Sequence, residues 1–315
     1  MDHDAITIRT YQPADKAAWD HIVAHARNGL FLFQRDYMEY HAHRFEDHSL
    51  IACMDGEPIA LLPAHKRADR LYSHEGLTFG GWITGAALSA VHMDAIFAQL
   101  KMFLKERGIT SLMYKSVPHI YHACPAEDDS YALVQQGAAV IRCDVAAVID
   151  YRQPLPFSAR RERGIRKARQ AGITIQESGD YEVYYAMLSA LLKDKYNSVP
   201  THSLDELLLL RARFPANIRL FTASLSNVML AGVVMYESAH VAHVQYIASS
   251  EEGRRHGALD ALFAQLISDT YPTKRYFDFG TSHGGEHNRL NESLMHHKEE
   301  FGARAVAHYI WDMPI

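Results

Sequence analysis

DAIFAQL at residues 94–100 returns as DALFAQL at residues 260–266, identical except for Ile96 against Leu262. Each heptapeptide lies in a run with apolar residues at helical spacing: Ile96, Phe97, Leu100 and Leu104 in one, Leu259, Leu262, Phe263 and Leu266 in the other. That spacing predicts two helices, each presenting one apolar stripe to a sheet. A β pattern precedes each helix, at residues 58–66 and 230–237, and a short strand-like run follows each, at 112–115 and 276–279. A repeat array would show a shorter period and more copies. Two copies of strand, strand, helix, strand therefore predict duplication of an α/β unit.

Working outward, the second half reads as a strand at 173–176, helices at 181–195 and 203–214, and successive strands at 218–224, 230–237 and 240–248. Ser226 and Asn227 supply the turn between the first two of these three strands. A helix at 258–270, the strand around Phe277, a helix at 290–300 and a last strand at 306–311 complete it. Pro154 and Pro156 interrupt structure after the strand-like run 144–150. The border is expected there, giving an N-terminal domain of residues 1–152 and a C-terminal domain of 153–315.

The 315 residues favour two domains. Apolar residues at 48% and charged ones at 22% fit a globular protein and argue against long disorder. With 32 Lys and Arg against 37 Asp and Glu, the net charge of -5 lacks the general basic footprint of a nucleic-acid binder. Cys53, Cys124 and Cys143 are too few and too scattered for a disulfide framework or a CxxC motif. No signal peptide and no membrane-spanning run is readable, so the cytoplasm is the expected compartment.

Several stretches resemble a known family: RGIRKARQAG at 163–172, SSEEGRRHGALDAL at 249–262, YFDFG at 276–280, NESLMHHKEEFG at 291–302 and, more weakly, GLTFGGW at 76–82. Together with the order of elements they resemble the GNAT acyltransferase fold in its FemAB-like tandem-domain branch. The resemblance implies an α/β fold of two tandem GNAT-like domains, each a mixed central sheet flanked by helices. It also implies transfer of an acyl group from acyl-CoA to an amine or hydroxyl of a small or sugar-like acceptor bound between the domains. The FemAB side implies a second activity, with aminoacyl-tRNA as donor and a cell-wall precursor peptide as acceptor. A binding protein that kept the fold without turnover is a third reading. One departure stands out: Arg254 and Gly257 fit the acyl-CoA loop pattern, but Leu259 occupies its final small position.

For donor binding, Gly253 and Gly257 would free the backbone to approach a ligand, and a helix beginning near Ala258 would point N–H groups at a phosphate. Arg254 and Arg255, beside His256, would add charge-assisted bonds. The plain alternative for this segment is an exposed turn with a solvated basic pair. Acyl transfer also needs a base and a stabilised oxyanion. On the strand that precedes the turn, Ala242, Val244, Tyr246 and Ala248 alternate with His243 and Gln245. His243 is the candidate base, since imidazole titrates near neutrality. Tyr246 is the candidate proton donor to the leaving group, and Asp278 would orient or activate the acceptor. Each has a plain alternative: a hydrogen-bonded structural histidine, a core tyrosine, and a carboxylate tying its strand to the Gly280 loop.

His283, Glu286 and His287 match H-x-x-E-H, which places two metal-binding histidines on one helical face. Gly284 and Gly285 between them oppose a helix. No metal site is expected, and His283 and Glu286 are read instead as polar contacts in an acceptor pocket with Gln245. The basic run Arg160, Arg161, Arg163, Arg166, Lys167 and Arg169 reads as a solvated helix face or a phosphate dock. In the first half, Gly80, Gly81 and Trp82 read as a backbone-access loop beside an aromatic wall facing the interdomain cleft, or as a strained turn packed under Trp82. No phosphate loop precedes the helix around Asp94, so the N-terminal copy is expected to serve the acceptor.

Overall fold

The computed structural model describes residues 6–284 and 289–315. It is a mixed α/β fold, and the chain divides into two compact units, residues 1–144 with 307–315 and residues 145–306. This differs from a linear border at 152/153 in two ways. The end of one long strand belongs to the second unit, and the C-terminus returns to the first. Proline placement marks where regular structure stops, whereas strand pairing decides which unit a segment joins.

The first unit runs β1 (Ile6–Thr10), α1 (Lys16–His25), β2 (Leu50–Met54), β3 (Glu57–Leu62), α2 (Ala90–Lys105), β4 (Ser111–Lys115), α3 (Asp128–Gln135) and the start of β5 (Ala139–Asp150). β1, β2 and β3 pair antiparallel. Ser89 Oγ caps α2 by accepting from His92 N. The helix buries Met93, Ile96, Phe97, Leu100 and Leu104 in a cluster with Leu50, Ala52, Ala60 and Leu62 of the strands. The 3.6-residue stripe read from DAIFAQL is thus the face that packs.

The second unit continues with α4 (Ala159–Gln170), β6 (Thr174–Ser178), α5 (Tyr181–Tyr196), α6 (Leu204–Arg213), β7 (Ile218–Leu225), β8 (Val228–Glu237), β9 (Val241–Ser249), α7 (Glu251–His256), α8 (Ala258–Gln265), β10 (Tyr276–Thr281) and α9 (Glu292–Glu299). The closing strand, β11, is Arg304–Pro314. β6 to β9 form an antiparallel meander, β10 joins β9 in parallel, and residues 146–150 of β5 pair antiparallel with β10. Residues 310–314 of β11 pair with β4 in the first unit. Leu262, Phe263 and Leu266 sit in a core cluster with Val233, Met235, Val244 and Phe277, so DALFAQL does in this unit what DAIFAQL does in the first.

Among the described residues no helix is long and apolar enough to cross a membrane.

Candidate active site

The parallel ladder between β9 and β10 has three rungs: Val241↔Tyr276, Ala242↔Phe277 and His243↔Asp278. Both strands continue, β9 to Ser249 and β10 to Thr281. They part at the His243–Asp278 rung, which puts these two side chains at the apex of a splay.

On its other edge β9 meets β8 through a bulge. Tyr236 faces His243, Met235 faces Val244 and Val234 faces Tyr246, so Gln245 is the extra residue. Directly opposed residues share a face of the sheet, and residues two apart on a regular strand do so too. Val234 and Tyr236 therefore carry Tyr246 and His243 to the same face. Strict alternation puts them on opposite faces, so the sequence expectation is corrected by the bulge, which reverses the parity after Val244. Asp278, opposite His243, lies on that face as well. So does Gly232, two residues from Val234. A Cβ there would lie 2.5 Å from the Tyr184 ring, so helix α5 lies over this face.

His243 Nδ1 lies 2.8 Å from Asp278 Oδ2. The other carboxylate oxygen, Oδ1, accepts from Gly280 N at 2.7 Å. Asp278 is fully buried, while the His243 side chain keeps 13% of its exposure. A carboxylate stripped of water persists only where donors meet it. With one oxygen held by an N–H, the imidazole contact is satisfied when Nδ1 carries the proton, which leaves the lone pair on Nε2. Gly280 has φ +70°, and a Cβ on it would lie 3.3 Å from His243 Cε1. This is the left-handed backbone that glycine tolerates best, used here to bring the turn under the imidazole. Lys298 Nζ, from α9, donates to the Gly280 and Thr281 carbonyls at 2.8 Å each.

Tyr246 points its hydroxyl at His202 Nδ1, 2.5 Å away, and accepts from His202 N at 3.3 Å. Burial raises the phenol's pKa, opposed by hydrogen bonds from His202, Gln245 and Thr201. It is held as a neutral O–H donor. Tyr185 Oη in turn donates to the His202 carbonyl. Sequence reasoning missed His202, Tyr185 and Lys298. The signal for Lys298 was available: it stands one helical turn after the buried Met295, on the inward side of α9.

The turn expected to cradle a donor is different from its sequence reading. The helix starts at Glu251, capped by Ser250 Oγ accepting from Gly253 N at 3.0 Å, and only kinks at Gly257 (φ +73°) before Ala258. Serine followed by two glutamates is a helix start legible in the sequence. The glycines admit protein rather than open space. A Cβ on Gly253 would lie 2.3 Å from the Leu230 carbonyl, and one on Gly257 2.5 Å from the Gly164 carbonyl of α4. Arg161, itself buried on α4, ties it down through Asp260 at 2.5 Å and Glu300 at 2.6 Å. Ala258 is fully buried; Arg254 and Arg255 are exposed, with Arg254 also donating to the Ser249 carbonyl.

The remaining expected residues fall elsewhere. His283 Nε2 accepts from Val145 N at 2.7 Å, on a short strand after β10. Glu286 and His287 lie outside the described residues. In the first unit, Gly80 closes on Ser73 and Gly81 (φ +83°) on the Tyr114 hydroxyl, which also accepts from Trp82 N at 2.7 Å. Trp82 is fully buried, so it is core rather than a ligand-facing wall. Among the described residues no group of three or more His, Cys, Asp or Glu is arranged to hold a metal ion.

Residues 158–298 match a family described as Acetyltransferase (GNAT) domain. No curated protein matches the chain by sequence. Among solved structures the chain is similar to FemX, at 12% identity over 98% of this chain and 97% of that one, with a TM-score of 0.68. It is also similar to the C-terminal domain (DUF2156) of a putative lysylphosphatidylglycerol synthetase from Agrobacterium fabrum, at 10% identity over 96% and 92%, TM-score 0.63. A tandem GNAT protein from the clavulanic acid biosynthesis pathway matches at 10% identity over 98% of both chains, TM-score 0.52. Likeness at these identities establishes the fold.

Proposed function

From the premise that residues 158–298 form a GNAT acetyltransferase domain within a FemX-like fold, we propose that the chain transfers an acyl group onto an amine or hydroxyl acceptor, with His243 as general base. The observation that carries this is the His243–Asp278 pair at the point where β9 and β10 part, with Tyr246 on the same face. Asp278 fixes the imidazole with Nδ1 protonated. His243 Nε2 then takes the acceptor's proton as its nitrogen or oxygen bonds to the donor's carbonyl carbon. The bond from that carbon to the leaving group breaks, and Tyr246, kept protonated by burial, supplies a proton to the departing atom. Backbone N–H groups of β9 beyond the splay are suited to the developing oxyanion.

The resemblance alone implies acyl-CoA as donor. A specific observation favours the second reading, an aminoacyl ester such as aminoacyl-tRNA. The first turn after β9 carries Glu251 and Glu252, whose charges already occupy the favourable end of the helix dipole and repel a pyrophosphate. The Gly257 turn is backed by Gly164. Arg254 and Arg255 on α7, with exposed Arg160 and Arg163 on α4, are cations available to a phosphate-bearing handle. The acceptor class is a small or sugar-like amine or hydroxyl, or a cell-wall precursor peptide.

The test is donor consumption by the purified chain with acetyl-CoA, longer acyl-CoAs and aminoacyl-tRNA, each with an amine and hydroxyl panel. Acceptor-dependent deacylation of aminoacyl-tRNA is expected. Thiol release from acyl-CoA instead would restore the first donor, and binding without consumption of any donor would reduce the chain to a binding protein.

A further inference from the structure

We infer that Lys298 is a positioning residue that keeps the Asp278 carboxylate aimed at His243. The inference rests on the reading of His243 as base. Lys298 is 3% exposed, an unusual place for an ammonium group, and a charge so buried needs polar partners. Its hydrogen bonds go to the Gly280 and Thr281 carbonyls at the end of β10. Gly280 is thereby gripped from both sides: its N–H by Asp278 and its carbonyl by Lys298. This is the stretch, between Asp278 and Thr281, where β10 slips in register against β5. Beyond it the chain is held again, by Ser282 N donating to the Val145 carbonyl at 3.1 Å and Asn291 N donating to the Ser282 carbonyl at 2.7 Å, so the Lys298 bonds secure the irregular stretch between two anchored ends.

The electrostatics agree with the geometry. Burial lowers the Lys298 pKa to about 8, and the field of Asp278 pulls it back up. The same field acts on the carboxylate in reverse, favouring its charged form. Of the charged and titratable groups near Lys298, Asp278 from β10 acts on it directly, and Lys298 in turn acts on His297 of its own helix. Arg161 and Arg160 from α4 and Glu300 act on that same His297. A lysine that only filled space would contribute to stability without influencing which imidazole nitrogen of His243 holds the proton.

The experiment is nitrogen NMR of histidine-labelled protein, read beside kinetics. In the native chain His243 is expected as the Nδ1–H tautomer. In Lys298→Met, which keeps the length and loses the charge, the population should move toward Nε2–H. Turnover should fall on the order of tenfold or more, with donor KM nearly unchanged. A folded Lys298→Met chain with the native tautomer and native kcat overturns the inference. Should that variant not fold, Lys298→Gln is read in the same two ways, and the native tautomer with native kcat there overturns the inference. The tautomer is read without turnover. Failure of the transferase reading, seen as no donor consumed, is therefore distinguishable from failure of the Lys298 assignment.

Discussion

Replacing Asp278 by Asn keeps the shape of the side chain and changes one acceptor into a donor. In the native site both carboxylate oxygens accept, Oδ1 from Gly280 N at 2.7 Å and Oδ2 from His243 Nδ1 at 2.8 Å. An amide has a single oxygen to offer. If that oxygen stays on Gly280, the NH2 group faces His243, which must then accept at Nδ1 and carry its proton on Nε2. The nitrogen that took the acceptor's proton has no lone pair left. If the amide turns over, its NH2 confronts the buried Gly280 N–H, and the two unsatisfied donors cost roughly 1–3 kcal/mol each. The first orientation therefore prevails, and Asp278→Asn should fold while losing general-base catalysis. That loss is about 10²- to 10⁴-fold in kcat, or roughly 2.7–5.5 kcal/mol of barrier. Both oxygens are occupied by His243 and Gly280 rather than offered to a donor, so the donor KM is expected to stay within about twofold. Single-turnover transfer from the donor that the native chain consumes is the assay, with circular dichroism to confirm the fold. A folded Asp278→Asn protein reacting within about threefold of the native rate would refute the role of the pair.

Four further outcomes are expected. His243→Ala should lower kcat by about 10²–10⁴ and leave the donor Kd unchanged by calorimetry; a loss confined to donor binding would remove the base assignment. Gly257→Ala combines φ +73° with a Cβ 2.5 Å from the Gly164 carbonyl, whereas Gly56→Ala has φ +87° and open space. Thermal melting should show about 1 kcal/mol lost at Gly56 and clearly more at Gly257; equal losses would mean that α4 does not press on this turn. Ser250→Ala should cost about 0.5–2 kcal/mol in denaturant unfolding through the lost cap, and no change would dismiss the helix start at Glu251. Burial lowers His74 from its ordinary value to about 2. The folded chain holds it neutral while the unfolded chain binds a proton below about pH 6.5. Its contribution to stability is thus complete above pH 6.5 and declines as pH falls toward 2, by at most about 1.4 kcal/mol per pH unit. A melting profile between pH 7 and 4 should be flatter in His74→Leu, and parallel profiles would contradict this.

The likeness of DAIFAQL and DALFAQL, the strand runs around them and the aromatic strand holding Asp278 were all readable, because helical and strand periodicities are properties of neighbours in the chain. The helix start at Ser250 was readable by the same local logic, although the glycines that follow it pointed to a ligand instead. His243, Tyr246 and Asp278 were each recognisable as candidates on chemical type. Their relation was not. Whether His243 and Tyr246 share a face depends on one unpaired residue, Gln245, and a bulge exists only against a partner strand. That Asp278 meets His243 follows from a parallel rung between residues 35 positions apart. That Gly257 rests on α4 follows from the packing of a helix that lies far earlier in the chain. Short-range pattern therefore determined the elements and the inventory of reactive groups. Pairing register and close approach, which are set by contacts between distant segments, decided which of those groups work together and which glycines face protein.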